Sequence, residues 1–237
     1  MGIQDRKERE KQQRREAILD AAQKIFFEKE LLIATIDDIA EEAELSKGTL
    51  YLYFKSKEDI YLAVMMRGVK ILEDEFIRII NSALPVLQKI VMMGSAYIKF
   101  FEKYPHFLRM FSFAQLQHFH KQVTPEMKEH CSQENHKMWD MVAGAFQQAV
   151  SEGLIRSDIN IVELTIVLWS NVTALLVRID NEYEFWKEKM QIDLKQTLRL
   201  SNRLLLDSIL TEKGKAEFHK QGELPVYDHE MSLMTGE

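Results

Sequence analysis

Apolar residues return every three or four positions along almost the whole chain, and no stretch alternates apolar and polar residues for long. That spacing lines side chains along one face of a helix, whereas a half-buried strand needs a period of two. With 9 Gly and 4 Pro in 237 residues, turn-rich β architectures are disfavoured too. The predicted fold class is all-α. Hydrophobic residues make up 46% of the chain, enough to bury a core rather than leave the chain disordered.

Ala17, Ile18, Ala21, Ala22, Ile25 and Phe26 form one apolar stripe, predicting a first helix over about 12–29, followed by a short apolar link of Leu31, Leu32 and Ile33. Thr35 with Asp38 reads as a capping box opening a brief second helix. Glu44, Leu45 and Ser46 make a tight connection, and Ser46 caps a third short helix from Lys47 to Phe54. Ser56 with Asp59 reads as another capping box, starting a long helix to about Asn81. After Pro85 the spacing predicts helices at about 86–103, 105–120, 125–152, 161–180 and 184–211. Beyond Thr211 the pattern is lost, and 212–237 is expected to form a mobile tail.

Two short helices joined by a tight turn, with a third stacked beneath, are the layout of a helix-turn-helix. At about 100° per residue, Leu50 and Phe54 share the inward face of the second short helix, while Gly48, Thr49 and Leu52 point outward. Lys47, Tyr51 and Tyr53 lie on its flanks. A small Gly permits close approach, a Thr offers hydroxyl and methyl, and a Leu can meet a thymine methyl in the major groove. Flanking Lys and Tyr suit phosphates, which fix position rather than sequence. The formal net charge of −6 speaks against a nucleic-acid partner only on average. Residues 46–57 hold Lys47, Lys55 and Lys57 with no acid, and residues 1–15 hold six bases against three acids.

The run TIDDIAEEAELSKGTLYLYFKSKEDIY resembles the DNA-binding region of the tetracycline-repressor-like (TetR) family of bacterial transcriptional regulators, and REAILDAAQKIFFEKE resembles that family's first helix. The pattern residues are Thr35, Gly48, Tyr51, Phe54, Lys57 and Glu58. The resemblance covers about 12–72, with the helix-turn-helix at 35–54. It implies DNA contacts at Thr35, Ser46, Lys47, Gly48, Thr49, Tyr51, Tyr53 and Lys57, beside the Leu52 read from the helix face. One departure is Leu31, where the family commonly has Gly.

The resemblance further implies an N-terminal three-helix DNA-binding domain joined to an all-helical ligand-binding and dimerisation domain, here 73–211. Family members are dimers, and most repress transcription until a small molecule binds; an activator is the alternative within the family. The residues agree on the dimer: Ile161–Val177 is apolar nearly all round, which demands burial on more than one side. Leu168, Leu175, Met190, Leu194, Leu198 and Leu205 are the expected interface. Aromatics at Phe100, Phe101, Phe107, Phe111 and Phe113, with Met110, Trp139 and Trp169, would line a pocket for a largely apolar effector, although Phe and Met at helical spacing also suit plain core. Two such subunits would place their reading helices in successive major grooves of a pseudo-palindromic operator, about 34–36 Å apart.

Other chemistries find little support. His106, His118, His120, His130 and His136 gather near Cys131, but no pair has the i, i+4 spacing that sets two metal ligands on one helical face. No metal, cofactor or catalytic residue is expected: there is no phosphate-binding Gly loop and no Ser-centred nucleophile motif. One Cys makes an intramolecular disulfide impossible and fits a reducing cytoplasm. The charged opening segment carries no secretory pattern. The uncharged run 164–177, at 14 residues, is shorter than the roughly 18–20 a membrane span needs. The alternative from another class is a helical protein-interaction module that has lost DNA binding.

Overall fold

The computed structural model describes residues 3–220, and these form eleven helices: α1 (Ile3–Ile33), α2 (Ile36–Glu42), α3 (Lys47–Tyr53), α4 (Lys57–Ile80), α5 (Val86–Lys103), α6 (Pro105–Ala114), α7 (Gln117–His120), α8 (Pro125–Ser151), α9 (Ile161–Lys189), α10 (Leu194–Ile209) and α11 (Glu212–Lys220). They segregate into two compact units. Among the described residues, one comprises those up to Ile71 together with Arg109–Glu134; the other comprises Leu72–Leu108 and those from Asn135 to Lys220.

In the first unit, Ile18, Ala22 and Ile25 of α1, Ile39 of α2, Leu50 of α3 and Ile60 and Val64 of α4 form a shared core. A linear division at residue 72 misses what completes it. Tyr61 meets the rings of Phe26, Phe113 and Phe119 edge-on. Phe119 is 1% exposed, and burying it accounts for the break between α6 and α7 inside the stretch predicted as one helix. Periodicity reports only which face is apolar, and it does not reveal that a distant segment fills the core.

Several boundaries move for local reasons. α1 starts well before residue 12, in a segment polar on every side. Pairs one turn apart, Arg6–Glu10 and Gln12–Glu16, support it there. It also runs through Leu31–Ile33, the expected link. Between Asp180 and Glu184 the chain stays helical, because no Gly or Pro interrupts it. The turn falls at Gln191, whose φ of 55° closes α9, and Asp193 caps α10 by accepting from the Lys195 N–H.

In the second unit α9 packs along α10 and against α5. The Trp169 indole donates to the Tyr97 hydroxyl, which also shares a hydrogen bond with Thr173; Ser201 donates to Asn171. Burial pushes the Tyr97 phenol up to about 12. The tail expected from residue 212 begins instead as α11, held by Thr211 and Lys213 donating to the carbonyls of Gly153, Leu154 and Glu152. Its remainder, 221–237, lies outside the described residues.

Candidate nucleic-acid interface

The geometry of α2 and α3 begins with their caps. Thr35 accepts from the Asp38 N–H at 3.1 Å while Asp38 accepts from the Thr35 N–H and hydroxyl at 2.9 and 2.8 Å. Asp38 also takes the Lys29 ammonium at 2.8 Å. That cation and the Thr35 donors hold its carboxyl down at about 2. The connection reverses at Glu44, which adopts a left-handed φ of 54°, and the Leu45 N–H closes it onto the Ala40 carbonyl. Ser46 then accepts from the Thr49 N–H at 3.1 Å and opens α3.

α3 is amphipathic in the manner a groove-reading helix requires. Leu50 and Phe54 are buried, whereas Leu52 is 78% exposed and Tyr51 42%. Gly48 is exposed and Thr49 half-buried beside it. A Cβ at Gly48 would meet only the Ser46 hydroxyl, at 3.8 Å. The fold therefore does not demand glycine there. Close approach from outside remains a reason for it.

The cations are more constrained than their sequence positions suggest. Lys47 pairs with Asp37 at 3.0 Å on the open surface, and that carboxylate raises the Lys47 ammonium above its usual range. Lys24 pairs with Glu42. Lys57, expected among the DNA contacts, is otherwise engaged: its half-buried ammonium donates to the carbonyls of Leu31 and Ala34 at 2.7 and 2.8 Å. It ties the end of α1 to the start of α4, because those helix-terminal carbonyls need a donor. Lys55, which no motif singled out, is exposed.

The expected pocket residues fall in both units. Phe100, Phe101 and Phe107 are buried in one aromatic cluster with Tyr97 and Tyr104, and Trp139 meets Trp169 edge-on at 5.8 Å. Met110, Phe111 and Phe113 belong to the other unit, where Phe113 packs on Tyr61 and Phe119. The expected interface residues differ in exposure. Leu194 and Leu198 are each 3% exposed within a single chain, because that side of α10 lies against α9. Leu168, Leu175 and Leu205 are half-buried, and Met190 is exposed. The large apolar side chains open on these two helices are Leu200 and Leu204 on α10 and Val162, Ile166, Val167 and Phe185 on α9. By length and composition α9 could cross a membrane, and only 28% of its most apolar window is buried. Among the described residues no three His, Cys, Asp or Glu side chains are grouped to hold a metal ion. Burial, with Asp59 and Glu134 nearby, pushes the Cys131 thiol up to about 11, which leaves it a poor nucleophile.

A family model described as "Bacterial regulatory proteins, tetR family" matches residues 18–64. The transcriptional repressor KstR2 of Mycolicibacterium smegmatis is 27% identical over 62% of this chain and 70% of its own length. The transcriptional activator FasR of the same organism is 42% identical, but only over 24% of this chain and 26% of its own. Among solved structures, the transcriptional regulator FadR from Bacillus subtilis in complex with stearoyl-CoA superposes with a TM-score of 0.58. Its identity is 19%, over 80% of this chain and 94% of that one.

Proposed function

We propose that this chain, a helix-turn-helix transcriptional regulator of the TetR family, binds a pseudo-palindromic operator as a homodimer and represses transcription until an amphipathic, largely apolar effector releases it. The observation that carries the DNA reading is Leu52, a large apolar side chain left 78% exposed on the outer face of α3. In water such exposure gains nothing; in a major groove it meets thymine methyls. Gly48 and Thr49 complete the base-facing side. Thr35, Ser46, Lys47, Tyr51 and Tyr53 hold phosphates, and Lys57 is reserved for the fold.

The unit from Leu72 to Leu108 and beyond Asn135 is the sensing and dimerising part. Its open apolar residues on α9 and α10 are covered by a second copy, a four-helix arrangement in which both helices of each subunit are used. The effector class is a fatty-acyl compound with a polar head. The aromatic cluster around Phe100 and the Trp139–Trp169 pair suit an acyl chain, and a solved relative carries stearoyl-CoA. The repressor sign follows the relative with the longer match, itself named a repressor. Such a regulator works in the cytoplasm, where the chromosome lies.

The test is selection of bound duplexes from a random pool, followed by titration of stearoyl-CoA against the selected duplex. A pseudo-palindrome released by the acyl-CoA is expected. A pool without enrichment overturns the DNA reading, and a complex indifferent to stearoyl-CoA overturns the effector class.

A further inference from the structure

We infer that the α1 residues preceding the family match form a second DNA-contacting element, a stripe of Lys7, Lys11 and Arg14 that grips phosphates flanking the operator. The inference rests on the reading of α3 as the DNA-reading helix. Lys7, Lys11, Arg14, Ile18, Ala22 and Ile25 follow one another at spacings of four, three, four, four and three residues. All six therefore lie on one line along the helix. The last three are buried in the core of the first unit; the first three continue that line where α1 has left the core. At about 1.5 Å per residue, Lys7 stands roughly 16 Å beyond Ile18.

The position of this half of α1 is marked by Arg15, next to the stripe. The Arg15 guanidinium lies over the ring of Phe54, 5.3 Å from its centroid, and Phe54 is the residue that ends α3. This half of α1 thus runs beside the C-terminal end of the reading helix.

Pairing separates the stripe from the other charges of the segment. Arg6 is held by Glu10 at 2.9 Å, and Arg9 donates to the Asp5 carbonyl. Both lie across the helix from Lys11. Lys7, Lys11 and Arg14 are exposed and make no hydrogen bond or ion pair among the described residues, and Glu8 sits at the stripe's edge. Around α2 and α3, by contrast, Lys24, Lys29 and Lys47 are each paired with an acid and Lys57 with carbonyls. Affinity for duplex DNA rises with the number of phosphates neutralised. The reading head offers few unengaged cations for that, and the stripe supplies three.

The test compares wild type, the triple variant K7Q/K11Q/R14Q and the control R6Q/R9Q. Each is titrated at several salt concentrations against a duplex selected from a random pool by wild type. Each lost phosphate contact lowers the log–log salt slope by about 0.9, so the triple variant should lose up to about 2.7 per subunit, roughly 40-fold between 50 and 200 mM salt. The control should keep the wild-type slope. Trimming the duplex by about six flanking base pairs should weaken wild type and leave the triple variant unaffected. An unchanged slope in the triple variant, an equal fall in the control, or indifference of wild type to the flanks would each overturn the inference. If wild type selects no sequence at all, the reading of α3 fails instead.

Discussion

The carboxylate of Asp59, at the start of α4, accepts from both the backbone N–H and the hydroxyl of Thr124, each at 3.0 Å. Asp59 is 3% exposed. Thr124 in turn accepts from the Met127 N–H and so caps α8. Ser56 and Asp59 were expected to cap α4 reciprocally. Ser56 does accept from the Asp59 N–H, but the Asp59 side chain is turned to Thr124. Asp59→Ala should leave both half-buried Thr124 donors unpaired and cost about 1–3 kcal/mol. Asp59→Asn, which keeps one acceptor, should cost less. Urea unfolding of the pair ranks them, and equal losses would contradict the two-donor arrangement.

Lys57→Met should destabilise the protein by about 1–3 kcal/mol, because two half-buried helix-end carbonyls lose a charged donor. Its salt slope on DNA should match wild type. A slope lowered by about 0.9 would mean that Lys57 holds a phosphate after all.

On α3, Leu52→Ala should change which bases are selected, shifting discrimination at one position by about 1–3 kcal/mol. Tyr51→Ala should instead weaken binding across all sequences, since a phosphate contact carries no sequence information. Repeating the random-pool selection with each variant separates the two effects; an unaltered consensus for Leu52→Ala would remove it from the groove.

Acid should expose the Asp38 cap. Its carboxyl is held at about 2, against an ordinary 3.8, so the folded state favours the ionised form. That contribution is fully present above the ordinary value and is lost as pH falls through 3.8 toward 2. Asp38→Asn should therefore be less stable than wild type at pH 6, and the gap should narrow toward pH 2. Thermal midpoints measured across that range check the sign.

Gly214 faces the Leu154 carbonyl so closely that a Cβ there would collide with backbone. Gly214→Ala should push α11 away and cost about 1–3 kcal/mol, as overpacking does. Gly94→Ala, where a Cβ meets nothing, should be neutral or stabilising and serves as the control in calorimetry.

Much of the reading head was legible because its signals are local. Thr35 and Ser46 announce helix starts by bonding N–H groups three residues away. Leu50 and Phe54 define the inner face of α3 by spacing alone. The α1 extension was not legible, since it has no apolar face to report. The placement of Leu194 and Leu198 was not legible either: an apolar stripe specifies burial but not against which partner.

By itself, then, the sequence determined the all-helical class, the Thr35 and Ser46 caps and the outward placing of Gly48 and Leu52, all of which follow from bonds and angles within one turn of helix. Tertiary structure alone decided that Lys57 clips α1 to α4, that Arg109–Glu134 completes the core around Tyr61, and that Leu200 and Leu204 stay open where Leu194 and Leu198 are covered. Those outcomes depend on which faces meet across tens of residues, and helical periodicity is the same whichever neighbour arrives.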